Sequence, residues 1–310
     1  MNEPHHCGQP CGLSCADACT LHPPTPPAPI CLEDALERFR REAVRGTCDT
    51  GRYRMPYYSW GEGPPLVLIH GVSDSSRSFL LPVARLSAHF RCVAYDLPAG
   101  NGDDAGLGCY THADLVGDFW ALLDHLGLRQ SYVLGSSFGS TVALAALHER
   151  PQRLPRAILQ GGLAHRALRP RERLLARLAR WLPGPMARVP FREKMLRKTT
   201  YAAFAERPPA VWRYYLDSCG ALPIRSLGHQ VLMLGGLDLR PLLPAIRQPV
   251  LLVCGERDRV VPPPYAAVLL EGLPNAGRVV IEGCGHVPSY SHPEALAEVV
   301  RRFLTPGQMG

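Results

Sequence analysis

The sequence predicts an α/β protein, in which a mostly parallel sheet carries helices on both faces and a helical cap is inserted into the sheet domain. Three observations lead to this fold class. Short apolar segments of strand length alternate with segments of helical spacing; the alternation stops over residues 164–243; and it resumes from residue 250 to residue 304. Short buried strands that alternate with helices are typical of a parallel sheet covered on both faces.

The elements before the interruption follow from local pattern. Residues 33–45 have helical spacing. Apolar runs predict four strands, at 66–69, 91–95, 132–135 and 157–159, and the helices predicted between them cover 75–87, 112–126 and 138–148. In the middle helix Leu115, Phe119, Leu122 and Leu126 recur every three or four residues, which is the spacing of one helix face. The third helix stops near Pro151, because proline cannot continue a helix.

The second part of the chain repeats the pattern after an insertion. Residues 164–243 consist of helical patterns broken by Pro and Gly, and we interpret them as a cap, or lid. Strands follow at 250–254 and 279–282, with helices at 265–271 and 294–304. The predicted sheet domain therefore covers residues 31–163 and 244–305, and residues 1–30 form a Cys- and Pro-rich tail that we expect to be disordered.

The tail contains the one candidate metal site. Its cysteines are spaced four residues apart, at Cys7, Cys11, Cys15 and Cys19. Thiolates suit zinc or copper, but Gly8 and Pro10 argue against a continuous helix, and the paired spacing of common zinc sites is missing. A metal on these cysteines is therefore the weaker alternative, and we expect neither a metal nor an organic cofactor.

Composition and charge exclude several classes of protein. Apolar residues make up 46% of the 310 residues and charged residues 20%, which excludes a mainly disordered chain. No apolar stretch reaches the roughly 18 residues needed to cross a bilayer, and the first 30 residues lack the apolar core of a secretory signal. We therefore expect a soluble, cytoplasmic protein.

The net charge of +7 is concentrated in residues 166–198, which hold eleven basic and two acidic residues, so we expect no nucleic-acid partner.

A candidate nucleophile follows the predicted strand at 132–135. The segment Gly135-Ser136-Ser137-Phe138-Gly139 has the form G-x-S-x-G and leads directly into a helix. A serine on such a strand-to-helix turn has an exposed hydroxyl, and glycines flank it because side chains there would clash. The alternative is a plain glycine turn with a capping serine. We predict that Ser137 is a nucleophile.

A serine nucleophile needs a base, and the base needs a group to orient it. Asp258 and His286 each follow a predicted strand, and ligands of open α/β sheets bind at the carboxyl ends of strands. The rivals are Asp238, which lies before its strand, and His292, which precedes the last helix. We predict His286 as the base and Asp258 as its partner.

The charge that develops during acyl transfer needs two preorganised N–H donors. Phe138, directly after the serine, supplies one candidate. The second is expected in the loop after the strand at 66–69, where Gly71 permits close approach and Val72 offers its N–H. We expect His70 to brace this loop rather than to act as a base.

Together these segments resemble the α/β-hydrolase fold superfamily. The similarity rests on His70-Gly71, on residues 96–98 (Asp-Leu-Pro), on the serine turn, and on Asp258 and His286, and it extends from about residue 52 to residue 304. The resemblance implies a sheet of eight strands with a helical cap after the sixth, and a Ser-His-Asp triad with an oxyanion hole. One departure is Ala99, where the family usually has glycine.

The resemblance also implies a function. Serine at the turn, in place of the aspartate of epoxide- and halide-processing relatives, indicates hydrolysis of a carboxylic ester or related acyl substrate through an acyl-enzyme. An acyltransferase, a perhydrolase or a carbon–carbon bond hydrolase on the same triad remains an alternative, and a non-catalytic binding protein is a weaker one. We expect a small-molecule acyl substrate; no particular oligomeric state is predicted.

The cap is expected to choose the substrate, and one of its helices stands out. Leu174, Leu175, Leu178, Trp181 and Leu182 share one face of this helix, and Arg173, Arg177 and Arg180 lie on another. We interpret it as a lid helix with its apolar side on the site and its arginines in solvent. The alternative is that the arginines attract an anionic substrate or a lipid surface.

Overall fold

The computed structural model describes residues 29–99 and 110–305 of the chain. In these ranges eight strands form one sheet in the order β1-β2-β4-β3-β5-β6-β7-β8. The strands are β1 (Val44–Asp49), β2 (Arg54–Trp60), β3 (Pro65–Ile69), β4 (Arg91–Tyr95), β5 (Tyr132–Ser136), β6 (Ala157–Gln160), β7 (Val250–Gly255) and β8 (Ala276–Ile281). β1 and β4 each pair with β2 antiparallel, and the other pairs are parallel. The predicted fold class is confirmed.

Helices cover both faces of this sheet. They are α1 (Leu32–Glu42), α2 (Leu80–Leu86), α3 (His112–His125), α4 (Phe138–Glu149), α5 (Pro170–Ala179), α6 (Arg192–Thr199), α7 (Pro209–Gly220), α8 (Ile224–Gly236), α9 (Pro263–Gly272), α10 (Pro288–Ser291) and α11 (Pro293–Leu304). Along β3, Val67 and Ile69 join the core beneath α3, α4 and α9, whereas Leu66 and Leu68 join the core beneath α1, α2 and α11. This alternation places apolar side chains on both faces, as a parallel strand requires.

One boundary prediction is wrong. The helical pattern was expected to extend over residues 33–45, but α1 ends at Glu42, and residues 44 and 45 already belong to β1. β1 is an edge strand in which only Cys48 is buried, so its sequence shows no alternation of apolar and polar residues. Its pairing with β2, rather than any local preference, fixes its conformation.

The insertion between β6 and β7 is helical and contains α5–α8. Its two ends lie side by side: the Leu239 N–H donates to the Ala164 carbonyl at 2.8 Å, and His165 forms an antiparallel bridge with Asp238. This closure supports the predicted start of the cap at residue 164. The predicted end at residue 243 falls in a 3₁₀ helix, Arg240–Ala245, just before β7.

Polar contacts fasten the insertion to the sheet domain. The His229 Nε2 lies 2.8 Å from the Tyr110 carbonyl, and the Tyr214 hydroxyl donates to the Arg77 carbonyl at 2.9 Å. Arg207 also forms an ion pair with Glu294 of α11 and donates to the Ser291 carbonyl at the end of α10. The cap therefore docks on three separate parts of the sheet domain.

The predicted orientation of the lid helix is wrong. The apolar side chains that were expected to face the site are more than half exposed; they are Leu174, Leu175, Leu178, Trp181 and Leu182. α5 instead packs on α8 through Ala176, which is buried. The reason is the close approach of the two helices: a Cβ at Gly228 of α8 would lie 2.6 Å from the Ala176 carbonyl oxygen. Small residues allow that approach, and leucines would prevent it.

Two sequence predictions fall outside the described residues. They concern the tail, with Cys7, Cys11, Cys15 and Cys19, and the loop after Ala99. Within residues 29–99 and 110–305, no group of three or more His, Cys, Asp or Glu side chains could hold a metal ion. No helix in those same ranges combines the length and apolar character that crossing a bilayer requires.

Candidate active site

Ser137 lies on a tight turn between β5 and α4. Its backbone is in a left-handed region, with φ 50° and ψ −116°, which is rare for a residue with a side chain. The flanking glycines make this turn possible. A Cβ at Gly135 would lie 2.6 Å from the Gly139 carbonyl oxygen, and a Cβ at Gly139 would lie 2.3 Å from the Ile69 carbonyl oxygen. The turn therefore presses against the end of β3, and Ser137 itself stays partly exposed.

The structure brings Ser137, His286 and Asp258 into contact. The Ser137 Oγ lies 3.0 Å from the His286 Nε2, and the His286 Nδ1 lies 2.7 Å from the Asp258 Oδ2. Each residue follows the carboxyl end of a parallel strand, β5, β8 or β7. The imidazole therefore connects a hydroxyl with a carboxylate, and one ring nitrogen faces each of them.

The Asp258 carboxylate is fixed from both sides. Its second oxygen accepts the N–H groups of Val260 and Val261 at 2.8 and 2.9 Å, and the side chain is almost fully buried. These bonds leave Oδ2 directed at the imidazole. The two backbone N–H donors therefore hold the carboxylate in one orientation. A charged Asp258 would hold the proton of His286 on Nδ1 and leave Nε2 free to accept one.

The two rival residues lie elsewhere. Asp238 is exposed on the exit from the insertion, where Arg240 lowers the pKa of its carboxyl to about 2. His292 is the residue before α11, and its Nδ1 lies 2.9 Å from the Ser291 hydroxyl. Burial lowers the pKa of His292. Neither residue contacts Ser137 in the described part of the chain.

The backbone beside Ser137 offers two N–H groups. A Cβ at Gly71 would lie 3.2 Å from the Ser137 Cβ, so the loop after β3 passes directly over the nucleophile. Val72 is next in that loop. Phe138 is the first residue of α4, and the first N–H groups of a helix have no acceptor within the helix. The positive end of the helix dipole adds to the attraction for an anion at this position.

His70 holds the same loop and does not face Ser137. Its Nδ1 lies 2.8 Å from the Gly71 carbonyl oxygen, and its Nε2 accepts the Leu97 N–H at 3.0 Å. Both ring nitrogens are therefore occupied by backbone groups. Burial lowers the pKa of this imidazole, which favours the neutral ring that the two bonds require. These contacts support the expected bracing role.

A half-buried acid also belongs to this loop. The Asp74 carboxylate accepts the Ser75 N–H at 2.9 Å and the Tyr290 hydroxyl at 2.8 Å. Burial, with Asp96 nearby, raises the pKa of Asp74 to about 7. Sequence reasoning gave Asp74 no role, because nothing in the local pattern indicates that Tyr290, more than two hundred residues away, covers it.

Gln160, the last residue of β6, and Gly161, which follows it, were also missed. The Gln160 side chain is buried; it accepts a hydrogen bond from the Ser136 hydroxyl and donates to the His286 carbonyl at 2.9 Å. Its backbone carbonyl accepts the Ser137 N–H at 2.8 Å. Gln160 thus connects the serine turn to the histidine loop. The strand-end rule that selected Asp258 and His286 could have selected it too.

Comparison with known proteins gives the same picture of the fold. A protein-family model described as alpha/beta hydrolase fold matches residues 64–293. Among proteins similar in sequence, 2-hydroxymuconate semialdehyde hydrolase of Pseudomonas putida is 29% identical over 268 residues, which cover 81% of this chain and 91% of that protein. A pimeloyl-[acyl-carrier protein] methyl ester esterase of Aeromonas hydrophila is 28% identical over 79% of this chain and 97% of its own length.

Solved structures resemble the chain over most of its length. A thermophilic esterase from Thermogutta terrifontis has a TM-score of 0.74 at 24% identity, covering 84% of this chain and 98% of that chain. The enol-lactonase from Burkholderia xenovorans has a TM-score of 0.72, also at 24% identity, and covers 84% and 99% of the two chains. At this identity the likeness shows the shared fold.

Proposed function

The chain belongs to the alpha/beta hydrolase fold family, its relatives support a hydrolase activity, and on that premise we propose that it is a serine hydrolase that cleaves a carboxylic ester or related acyl substrate. One observation carries the proposal. The His286 imidazole lies within hydrogen-bond distance of both the Ser137 hydroxyl and the Asp258 carboxylate. A base at this distance can take the proton that makes the serine nucleophilic.

In the proposed first half-reaction, the Ser137 Oγ attacks the acyl carbonyl carbon while its proton moves to the His286 Nε2. The new C–O bond produces a tetrahedral oxyanion, for which the Val72 and Phe138 N–H groups are the candidate donors. The intermediate collapses, the bond to the leaving alcohol breaks, and His286 returns the proton to the departing oxygen. Asp258 holds the imidazole in one tautomer and stabilises its charged form.

In the second half-reaction, water replaces the alcohol. His286 takes a proton from the water while the water oxygen attacks the acyl-enzyme carbonyl carbon. The bond from that carbon to the Ser137 Oγ then breaks, and His286 gives the proton to the Ser137 Oγ. The product is a carboxylic acid. The reaction needs no metal or organic group, because backbone N–H donors meet the negative charge.

A second candidate reaction has its own support. The sequence likeness to the Pseudomonas putida 2-hydroxymuconate semialdehyde hydrolase extends over 81% of this chain, and that name describes the hydrolysis of a different substrate class. Hydrolysis of a carbon–carbon bond beside a ketone on the same triad is therefore the alternative. Comparing kcat/KM for nitrophenyl esters of increasing chain length with that for 2-hydroxymuconate semialdehyde would separate the two. Product analysis with a competing alcohol or peroxide would detect acyl transfer.

Labelling with a fluorophosphonate tests the nucleophile. We expect the probe to modify Ser137 and to leave the Ser137→Ala and His286→Ala variants unmodified. Ester turnover should fall by roughly 10⁴–10⁶ in either variant, because the members of a triad act as a unit. The neighbouring Ser136→Ala variant is the control and should still be labelled. Labelling of Ser137→Ala would refute the assignment.

The orienting carboxylate has a matched pair of variants. Asp258→Asn should lower kcat by roughly 10⁴, since the amide favours the wrong imidazole tautomer. Asp238→Asn removes the same charge from the rival residue and should leave kcat unchanged. Equal losses in the two variants would contradict the role of Asp258.

A further inference from the structure

The cap carries an apolar surface that the fold does not cover. We define the lid patch as Leu174, Leu175, Leu178, Trp181 and Leu182, which lie on α5 and the turn that follows it. Trp181 is 84% exposed and Leu175 is 65% exposed. A short distance along the chain, Phe191 is 82% exposed and Met195 is 60% exposed. Large apolar side chains grouped in this way on a surface mark an interaction site.

Basic residues border the lid patch. The segment 166–198 has eleven arginines and lysines and only two acids. Each acid is held by a cation of the same segment: Glu172 by Arg166 at 3.3 Å and Glu193 by Arg197 at 2.9 Å. Arg173 and Arg177, which flank the exposed leucines, are themselves exposed. The segment 166–198 therefore combines the apolar lid patch with a net charge of +9.

We propose that the lid patch docks the protein on an anionic lipid surface. An apolar helix face rich in Leu and Trp, with arginines beside it, has the composition of a helix that lies at the water–lipid boundary. Anionic headgroups attract the arginines, while the leucines and Trp181 enter the acyl region. A second copy of the chain is a poorer occupant, since two such faces would oppose their positive charges.

Trp181 makes the docking directly measurable. The chain has four tryptophans, and the other three, Trp60, Trp120 and Trp212, are at most 5% exposed. The full chain with Ser137→Ala, which cannot turn over lipid, is mixed with phosphatidylcholine vesicles with or without phosphatidylglycerol. We expect vesicle co-flotation, a blue shift of emission and quenching by brominated lipid with the anionic vesicles. Trp181→Phe should abolish the spectral response and retain flotation.

Matched variants separate this surface from the protein's general charge. Arg173→Glu with Arg177→Glu should lower the partition coefficient roughly twentyfold or more. Leu175→Ser with Leu178→Ser should lower it roughly tenfold or more. Because these side chains are exposed, the variants should unfold at the wild-type denaturant concentration. Arg247→Glu and Val44→Ser, exposed positions outside the cap, are the controls and should bind like the parent.

Several outcomes would overturn the proposal. They are an absence of flotation with anionic vesicles at low salt, equal binding to neutral vesicles, flotation without a response of Trp181, and an equal loss of binding in Arg247→Glu. Sedimentation velocity without lipid provides one more: self-association abolished by Leu175→Ser with Leu178→Ser would assign the patch to a second copy. None of these results depends on catalysis, so the proposed function is tested separately.

Discussion

Gly161 lies against the catalytic imidazole that we propose, and a single methyl group there should disturb it. The residue follows Gln160 at the end of β6, with φ 54°. A Cβ at this position would lie 3.0 Å from the His286 Cε1 and 3.2 Å from its Nδ1. The Asp258 Oδ2 would be 3.6 Å away. The added methyl group of the Gly161→Ala variant therefore displaces the His286 ring, although the variant replaces none of the proposed triad residues.

The expected magnitude follows from these distances. Ordinary van der Waals contact begins near 3.4 Å, so the ring must retreat by at least about 0.4 Å. The ring is held by contacts of 3.0 Å to Ser137 and 2.7 Å to Asp258, and a retreat of that size spoils at least one of them. Misplacing a base by a fraction of an ångström reduces kcat roughly 10- to 100-fold. Alanine in the left-handed region also costs about 1 kcal/mol of stability.

A second glycine supplies the control for backbone strain. Gly127, after α3, has φ 65°, and a Cβ there would contact nothing within 4 Å. Gly127→Ala should therefore show the same loss of stability in urea unfolding, about 1 kcal/mol, without a loss of kcat. The assay is steady-state hydrolysis of nitrophenyl esters by both variants. Wild-type kcat in Gly161→Ala, or equal losses in the two variants, would refute the placement of His286 as the base.

Two further predictions concern polar groups that support the site. Replacing Gln160 by Leu leaves the Ser136 hydroxyl and the His286 carbonyl without partners; urea unfolding should show a loss of about 2–4 kcal/mol, and kcat should fall with KM unchanged. Gln160→Glu keeps the acceptor for the Ser136 hydroxyl, so it should lose less stability than Gln160→Leu. Equal losses in the two variants would contradict the supporting role of Gln160. In the folded protein the pKa of Asp74 is raised to about 7, whereas the pKa of the same carboxyl in the unfolded chain is about 4. Between these pH values the folded protein keeps a proton that the unfolded chain has lost. Stability relative to Asp74→Asn should therefore fall as pH rises from about 4 to about 7, by at most about 1.4 kcal/mol per pH unit, and parallel urea-unfolding profiles of the two proteins would refute it.

The six strands β3 to β8 were predictable because the signals for them are local in the sequence. β3 to β7 are short, mostly buried apolar runs, and parallel strands buried on both faces leave that mark in the sequence. The edge strand β8 carries only the apolar run at residues 279–281. The residues that meet at the site follow three of these strands, so topology alone places Ser137, Asp258 and His286 at one edge of the sheet. Their separation in the chain is no obstacle, because the order of the strands brings the ends together.

The supporting groups were not predictable in the same way. Gln160 matters because its side chain reaches two other loops, at Ser136 and at His286. Asp74 has a raised pKa because packing between distant segments buries it and Asp96 lies nearby, although the hydrogen bond from Tyr290 acts in the opposite direction. A sequence shows which residues can donate, accept or ionise, but the identity of the partner depends on packing between segments far apart. Strand ends identify the first group of candidates, and only the tertiary contacts identify the second.

The lid helix shows how a strong local pattern can give the wrong contact. Its leucines form the more apolar stripe, and hydrophobicity alone would bury them. On the opposite side Ala176 is buried, because Gly228, some fifty residues later, lets the two helix backbones approach to distances that a leucine would forbid. α5 and α8 therefore pack through small residues, and the larger apolar side chains of α5 stay exposed. The exposed leucines are therefore a consequence of how the cap is built, and they form the surface that we propose for docking on anionic lipid.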